Sequence, residues 1–166
     1  MAIKTSAIAI FLNTSTTSTA SYARIRKQSE LNFSYDAETE EENYIDEDGP
    51  TTETTRYTIS FDGEYVAYED DDVFSYLDDI RINRLTGEDA QTDALIAYKY
   101  KPHSDSTTSI PAYVAEKDNV TIAITGYGGD GGGGKVHINY TITLNGNATM
   151  GKVTVSAGGE PTFTAD

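Results

Sequence analysis

At 166 residues the chain has the length of one ordinary domain and can bury a core without metals or disulfides. It contains no cysteine, which excludes a disulfide framework, a thiol nucleophile and a thiolate metal site. Its formal net charge of -15, against 37% hydrophobic residues, repels nucleic-acid phosphates and argues against a protein that grips DNA.

Lys4 followed by Ala7 to Leu12 imitates the start of a signal peptide. The apolar run is shorter than the usual span of about 7 to 15 residues, and a Ser/Thr tract from Thr14 to Ser21 follows it. Ile8, Ile10 and Leu12 alternate with smaller residues and read instead as a first strand. No stretch approaches the ~20 apolar residues of a membrane span. Tyr22 to Lys27 reads as a short second strand carrying Arg24, Arg26 and Lys27, a basic cluster that invites a carboxylate partner. Leu31, Phe33 and Tyr35 alternate with polar residues, as in a half-buried strand.

Residues 36–53 contain no Lys or Arg and many carboxylates. Tyr44 and Ile45 are embedded in this run and Gly49-Pro50 supplies a turn, so it reads as an acidic β-hairpin arm at about 36–56. Tyr57, Ile59 and Phe61 alternate again, Asp62-Gly63 reads as a hairpin turn, and Tyr65 to Tyr68 as the returning strand.

One helix stands out among these strands. Val73, Phe74, Leu77, Ile80 and Leu85 form an apolar stripe at helical spacing, with Ile82 off it. Asp70, Asp71 and Asp72 suit the N-terminal cap, Arg81 and Arg84 suit the last turn, and Gly87 suits a left-handed C-terminal cap. Such a helix needs a sheet to pack on, with Val73, Phe74, Leu77 and Ile80 as its core residues. Beyond it, Leu95 to Lys101 is a strand with Ile96, Tyr98 and Tyr100 on one face, a further strand starts near Pro111, and Val120, Ile122 and Ile124 continue the pattern. After the glycine run from Gly126 to Gly134, Val136, Ile138, Tyr140, Ile142 and Leu144 alternate with His137, Asn139, Thr141 and Thr143. Asn145-Gly146-Asn147 reads as a turn, Val153 and Val155 as another strand, and Phe163 closes the chain. The sum is a mainly β (α+β) single domain over 1-166, an antiparallel β-sandwich or barrel flanked by one α-helix.

Several motifs fail on inspection. Gly129 to Lys135 resembles a phosphate loop, but Val136 stands where Ser or Thr is needed and a strand follows where a helix N-terminus is needed. Gly128-Gly129-Asp130 is a single copy of a calcium β-roll unit without a stacking partner. Asp46, Asp48 and Gly49 resemble an EF-hand loop whose first acid and final glutamate fall on Tyr44 and Thr55. His103 and His137 have no partner visible in the sequence and read as exposed structural residues. Asn13, Asn32, Asn119, Asn139 and Asn147 begin glycosylation triplets that a Thr-rich chain produces by chance. No cofactor, metal site or enzyme activity is expected.

The order of acidic cap, Val73 helix, Gly87, strand, Pro111-Ala112, strand, Gly128 to Gly132, then Val136 to Ile142 and Gly146 resembles the major tail (tail tube) proteins of long-tailed bacteriophages of Gram-positive hosts. Phe11-Leu12-Asn13, the Tyr22 to Lys27 strand and the arm ending near Ile45 extend the resemblance over most of the chain. The glycine run is longer than that family suggests, and the helix lacks a proline after its acidic cap. The resemblance implies a β-sandwich with one helix, built into hexameric rings that stack as a hollow virion tail tube. DNA would pass through without specific binding. The implied partners are further copies of the chain, a tape-measure protein, a tail terminator and distal tail or baseplate proteins, with assembly in the host cytoplasm and no membrane anchor. The candidate lumen residues are Glu38, Glu40 and Glu42, and the candidate inter-subunit or inter-ring residues are Arg24, Arg26, Lys27, Tyr44 and Ile45. The competing class is a secreted or surface β-sandwich that binds carbohydrate through its twelve tyrosines, although it has no tryptophan.

Overall fold

The computed structural model describes residues 1–26, 28, 30–46 and 48–166, and these form eight strands and one α-helix. In chain order they are β1 (Ile8–Asn13), β2 (Tyr22–Arg24), β3 (Phe33–Glu42), β4 (Thr51–Val66), α1 (Asp72–Asn83), β5 (Gln91–Pro102), β6 (Ala112–Gly128), β7 (His137–Val155) and β8 (Pro161–Ala165). Every pairing is antiparallel, in the order β2-β1-β5-β6-β7-β4-β3, with β8 joined to β7. The molecule is therefore mainly antiparallel β with a single helix.

Alternation in β1 and β5 sorts side chains into two cores. Ile10, Leu12, Ala94 and Ile96 enter one cluster with Phe61, Tyr65, Val120, Ile122, Ile138, Tyr140 and Ile142, and α1 closes it with Val73, Leu77 and Ile80. Ala9, Phe11, Leu95 and Ala97 enter a second cluster on the opposite face. The sequence pattern assigned one buried face to β1. Both faces are buried because Val153 of β7 and Phe163 of β8 pack on the second one.

Helix α1 starts where Asp71 caps it, its Oδ1 accepting the Val73 and Phe74 backbone N–H groups at 3.0 Å each. The other carboxylate oxygen accepts the hydroxyl of buried Tyr65 at 2.8 Å, tying the cap to β4. Val73, Leu77 and Ile80 are buried, whereas Phe74 is only partly buried at the edge of the cluster. At the other end the C-terminal cap is Arg84 (φ 50, ψ 46), and Gly87, although its φ is also positive at 61°, instead opens the 3-10 turn Gly87–Ala90. The helix stops one turn earlier than its sequence suggests because Leu85 N–H closes back on Ile80 O at 3.1 Å and Leu85 packs against the core.

Two expected turns are continuous strand. Strand β4 passes straight through Asp62-Gly63, which pair with Thr141 and Tyr140 of β7. Gly63 is there for close approach: a Cβ would meet the Tyr140 ring and Gln28 at 2.5 Å. Likewise β7 runs through Asn145-Gly146-Asn147, where the register against β6 shifts between Lys117 and Asn119 and Gly146 takes a positive φ of 75°. This is a bulge that bends the strand rather than a turn that ends it. By contrast, the glycine-rich segment does join two strands, β6 and β7, with Gly132 and Gly133 at positive φ. The expected strand from Tyr22 to Lys27 is shorter, ending at Arg24.

Candidate functional site

The acidic arm is a two-stranded ribbon. From Glu42 opposite Thr51 to Phe33 opposite Phe61, β3 pairs with β4, and among the described residues no strand lies on its outer edge. Residues 34–46 are exposed, as are 52–58, so no described residue covers either face of the ribbon. Phe33 packs on Phe61 with ring centroids 5.0 Å apart, and Tyr35 meets Tyr57 edge-on at 6.5 Å. Since these aromatics take one face, Glu38, Glu40 and Glu42 take the other by alternation.

The three glutamates are not equivalent. Glu38 is bonded to Arg56 at 2.6 Å, and that hydrogen bond holds its carboxyl below the usual carboxylate range. Glu40 stands across the ribbon from Glu53, a like-charge pair. At the tip, Tyr44 donates to the Glu42 carboxylate, while Ile45 is fully exposed at 107%.

The basic residues lie elsewhere. Arg24 sits on β2, at the end of the sheet order opposite β3. Burial and the neighbouring Arg24 guanidinium together hold the Lys99 ammonium below its ordinary value. Arg26 lies near the Tyr65 hydroxyl, whose pKa is raised by burial and by the Asp71 carboxylate. Lys27 lies outside the described residues. Within one subunit, then, the acidic arm and the Arg24 edge occupy opposite ends of the sheet.

A second cationic surface was read in the sequence only as complementing the helix dipole. Arg81, Ile82, Arg84, Ile124, Thr125, Gly126 and Tyr127 line an open groove of about 530 Å³. Arg81 is held by Asp78 (Nε to Oδ1 2.8 Å) and lies over the Tyr127 ring at 3.8 Å. Ile82 is 61% exposed and Tyr127 51%. The off-stripe position of Ile82 was the available signal. The register irregularity between Ile124 and Gly126 that accompanies Tyr127 is set by pairing with β7 and has no local mark.

The histidines have partners the sequence could not show. His103 Nε2 lies 3.0 Å from Asp166, and His137 Nδ1 lies 3.0 Å from Glu64 of β4 in ion-pair rather than hydrogen-bond geometry; both rings are partly buried, not exposed as their sequence context suggests. Among the described residues no group of three or more His, Asp or Glu side chains is placed to hold a metal ion, and no helix is long and apolar enough to cross a membrane.

One carboxylate inside the sheet is costly. Asp118 on β6 is 3% exposed, and its Oδ2 has no hydrogen-bond partner among the described residues. Burial, reinforced by nearby Glu116, pushes its pKa up from 3.8 to about 6. The folded chain thus holds this proton more tightly than the unfolded chain. The resulting stability is fully present below about pH 4 and is lost as pH rises through about 6. Asp118→Asn is expected to raise the melting temperature at pH 7 and leave it unchanged at pH 3.5. Parallel melting curves for the two chains across that range would show that Asp118 titrates normally.

No protein-family model and no curated protein matches the chain. Solved structures do match. Over 99% of its length, and 100% of the other chain, it is similar to a chain in the tail of an empty gene transfer agent (GTA) particle refined with helical C6 symmetry, at TM-score 0.58 and 16% identity. Over 90% of its length and 98% of the other, it is similar to a chain in the virion of a native GTA particle, at TM-score 0.57 and 15% identity. A chain in the sheath-tube complex of an extracellular contractile injection system matches over 90% of both, at TM-score 0.51 and 11% identity. The class defined is the tail-tube-like β fold. This chain shares that fold, along nearly its whole length, with a chain in the GTA tail structure.

Proposed function

We propose that the chain is the structural subunit of a phage-like tail tube, with six copies closing into a ring and rings stacking into a hollow conduit for DNA. The carrying observation is the exposed ribbon formed by β3 and the first half of β4. An isolated two-stranded ribbon is marginal in water, and among the described residues none covers either face of this one. The likeness in fold to GTA tail chains supports the same reading.

Sheet order supplies a route to the ring. Strands β2 and β3 leave unpaired edges at opposite ends of the sheet, one bearing Arg24 and the other a row of carboxylates. Edge-to-edge contact between neighbours would join them, with Arg24 and Arg26 setting register against Asp36 and Glu41, the β3 carboxylates other than the three lumen candidates. A tape-measure protein would occupy the lumen during assembly, and terminator and baseplate proteins would close the two ends. The site of action is the virion tail, after assembly in the host cytoplasm. Nothing in this role requires chemistry on a substrate. Electron microscopy of the purified chain tests the proposal: rings or tubes are expected, and monodisperse monomers at high concentration would refute it.

The same reading puts Glu38, Glu40 and Glu42 on the lumen. Glu38 is already neutralised by Arg56, so Glu40 and Glu42 carry most of the repulsion that keeps DNA from sticking. Changing all three to lysine should leave rings intact and slow DNA passage. Six copies of each lysine would bind phosphate with counterion release, so slowing should be greatest at low salt. Normal ejection kinetics at low salt from assembled mutant tails would remove these positions from the lumen.

A further inference from the structure

Arg84 is the one non-glycine residue among those described with a positive φ. It occupies a helix C-terminal position that glycine fills without steric cost, and it is exposed, with no ion-pair partner among the described residues. A left-handed conformation costs a side-chain-bearing residue stability, so a side chain kept there points to a use outside the subunit's own fold.

Its surroundings identify that use. Arg84 and Arg81 rim the groove whose apolar lining is Ile82, Ile124 and Tyr127. In a chain of net charge -15, this is a cationic socket with a greasy floor. The complementary plug is on the same chain: the arm tip carries fully exposed Ile45 and half-exposed Tyr44 beside Asp46 and Asp48.

A subunit cannot plug itself. Ile124 is level with Tyr140, which is level with Gly63 of β4, whereas the tip leaves β4 at Thr51. Thr51 and Gly63 are about 40 Å apart at ~3.3 Å per strand residue. Plug and socket thus lie toward opposite ends of the subunit, and a head-to-tail contact of this kind repeats from copy to copy.

Resting on the tube reading above, we infer that the groove between the end of α1 and Tyr127 receives the acidic arm tip of a second copy, with Ile45 seated among Ile82, Ile124 and Tyr127 and the tip carboxylates facing Arg84. Apolar contact supplies the hold and Arg84 selects the acidic partner, Arg81 being held by Asp78.

The test is Arg84→Gly, compared with the native chain for melting temperature and for the lowest concentration that forms tubes. Glycine relieves the left-handed strain, so melting should be unchanged or higher. The assembly threshold should nonetheless rise by about tenfold or more, as expected when a charge-assisted contact is lost from each interface. Because the chain has no cysteine, Ile45→Cys with Ile82→Cys in one chain can be bridged by a short bis-maleimide. A ladder of covalent oligomers is expected from tubes and none from dissociated subunits. Tubes that assemble equally well with Arg84→Gly, or tubes of the double-cysteine chain that give no ladder, overturn the socket alone. A native chain that forms no tubes at any concentration overturns the tube reading and the socket with it.

Discussion

Leu77→Ala is expected to cost the subunit about 2 to 5 kcal/mol, a large share of the 5 to 15 kcal/mol that holds a typical domain folded. Leu77 is 0% exposed and sits mid-stripe between Val73 and Ile80, where α1 closes the larger core over Leu12, Phe61 and Tyr65. The sheet on the other side is hydrogen-bonded across several strands and cannot collapse into the space left behind, which places the cost toward the upper part of that range. Ile82→Ser, five residues on and solvent-facing, should change melting by less than about 0.5 kcal/mol. Thermal unfolding of the two variants side by side separates a buried stripe from an apolar helix surface. Equal melting temperatures would mean that α1 is not packed as described.

The contrast between Leu77 and Ile82 shows what was legible in the sequence. Helical spacing separated the stripe from the off-stripe residue without any structure, because burial of one helix face is a local pattern. The alternating strands were legible for the same reason. Asp62-Gly63 was not, since a glycine after aspartate signals a hairpin turn, and only the ring of Tyr140, from a strand more than seventy residues on, explains why that glycine lies in a continuous strand. The second buried face of β1 was hidden likewise, because Ala9 and Ala97 are small and their cover comes from Val153 and Phe163 near the end of the chain. The acidic arm was legible as an element and its paired strands are present, but the position of Arg24 at the far edge of the sheet depends on strand order, which local patterns do not encode. The groove at Arg84 needed a backbone angle, and nothing in the letters distinguishes a left-handed arginine from any other.

Deleting residues 41–52 is expected to leave a folded, soluble monomer or ring that no longer stacks into tubes. The buried residues of both cores lie outside this segment, so its removal takes nothing from the hydrophobic interior. What it removes is the exposed end of the ribbon with Tyr44 and Ile45, the large apolar side chains of the tip. Exposed ion pairs contribute only about 0 to 1 kcal/mol each, so the carboxylates of the arm cannot by themselves hold rings together. In the proposed tube, burial of Tyr44 and Ile45 on another copy would supply most of the attraction between rings, while the charges set register. Arg24→Glu should then weaken assembly in a way that added salt partly masks, whereas the deletion should abolish stacking at every salt concentration. Hydrogen exchange reads the arm directly. The amides of Tyr44, Ile45 and Asp46 should exchange rapidly in isolated subunits and slow by orders of magnitude in tubes, because a ribbon exposed on both faces opens easily until a partner covers it. Equal protection in the two states would mean that the arm is held within its own subunit and has no part in stacking.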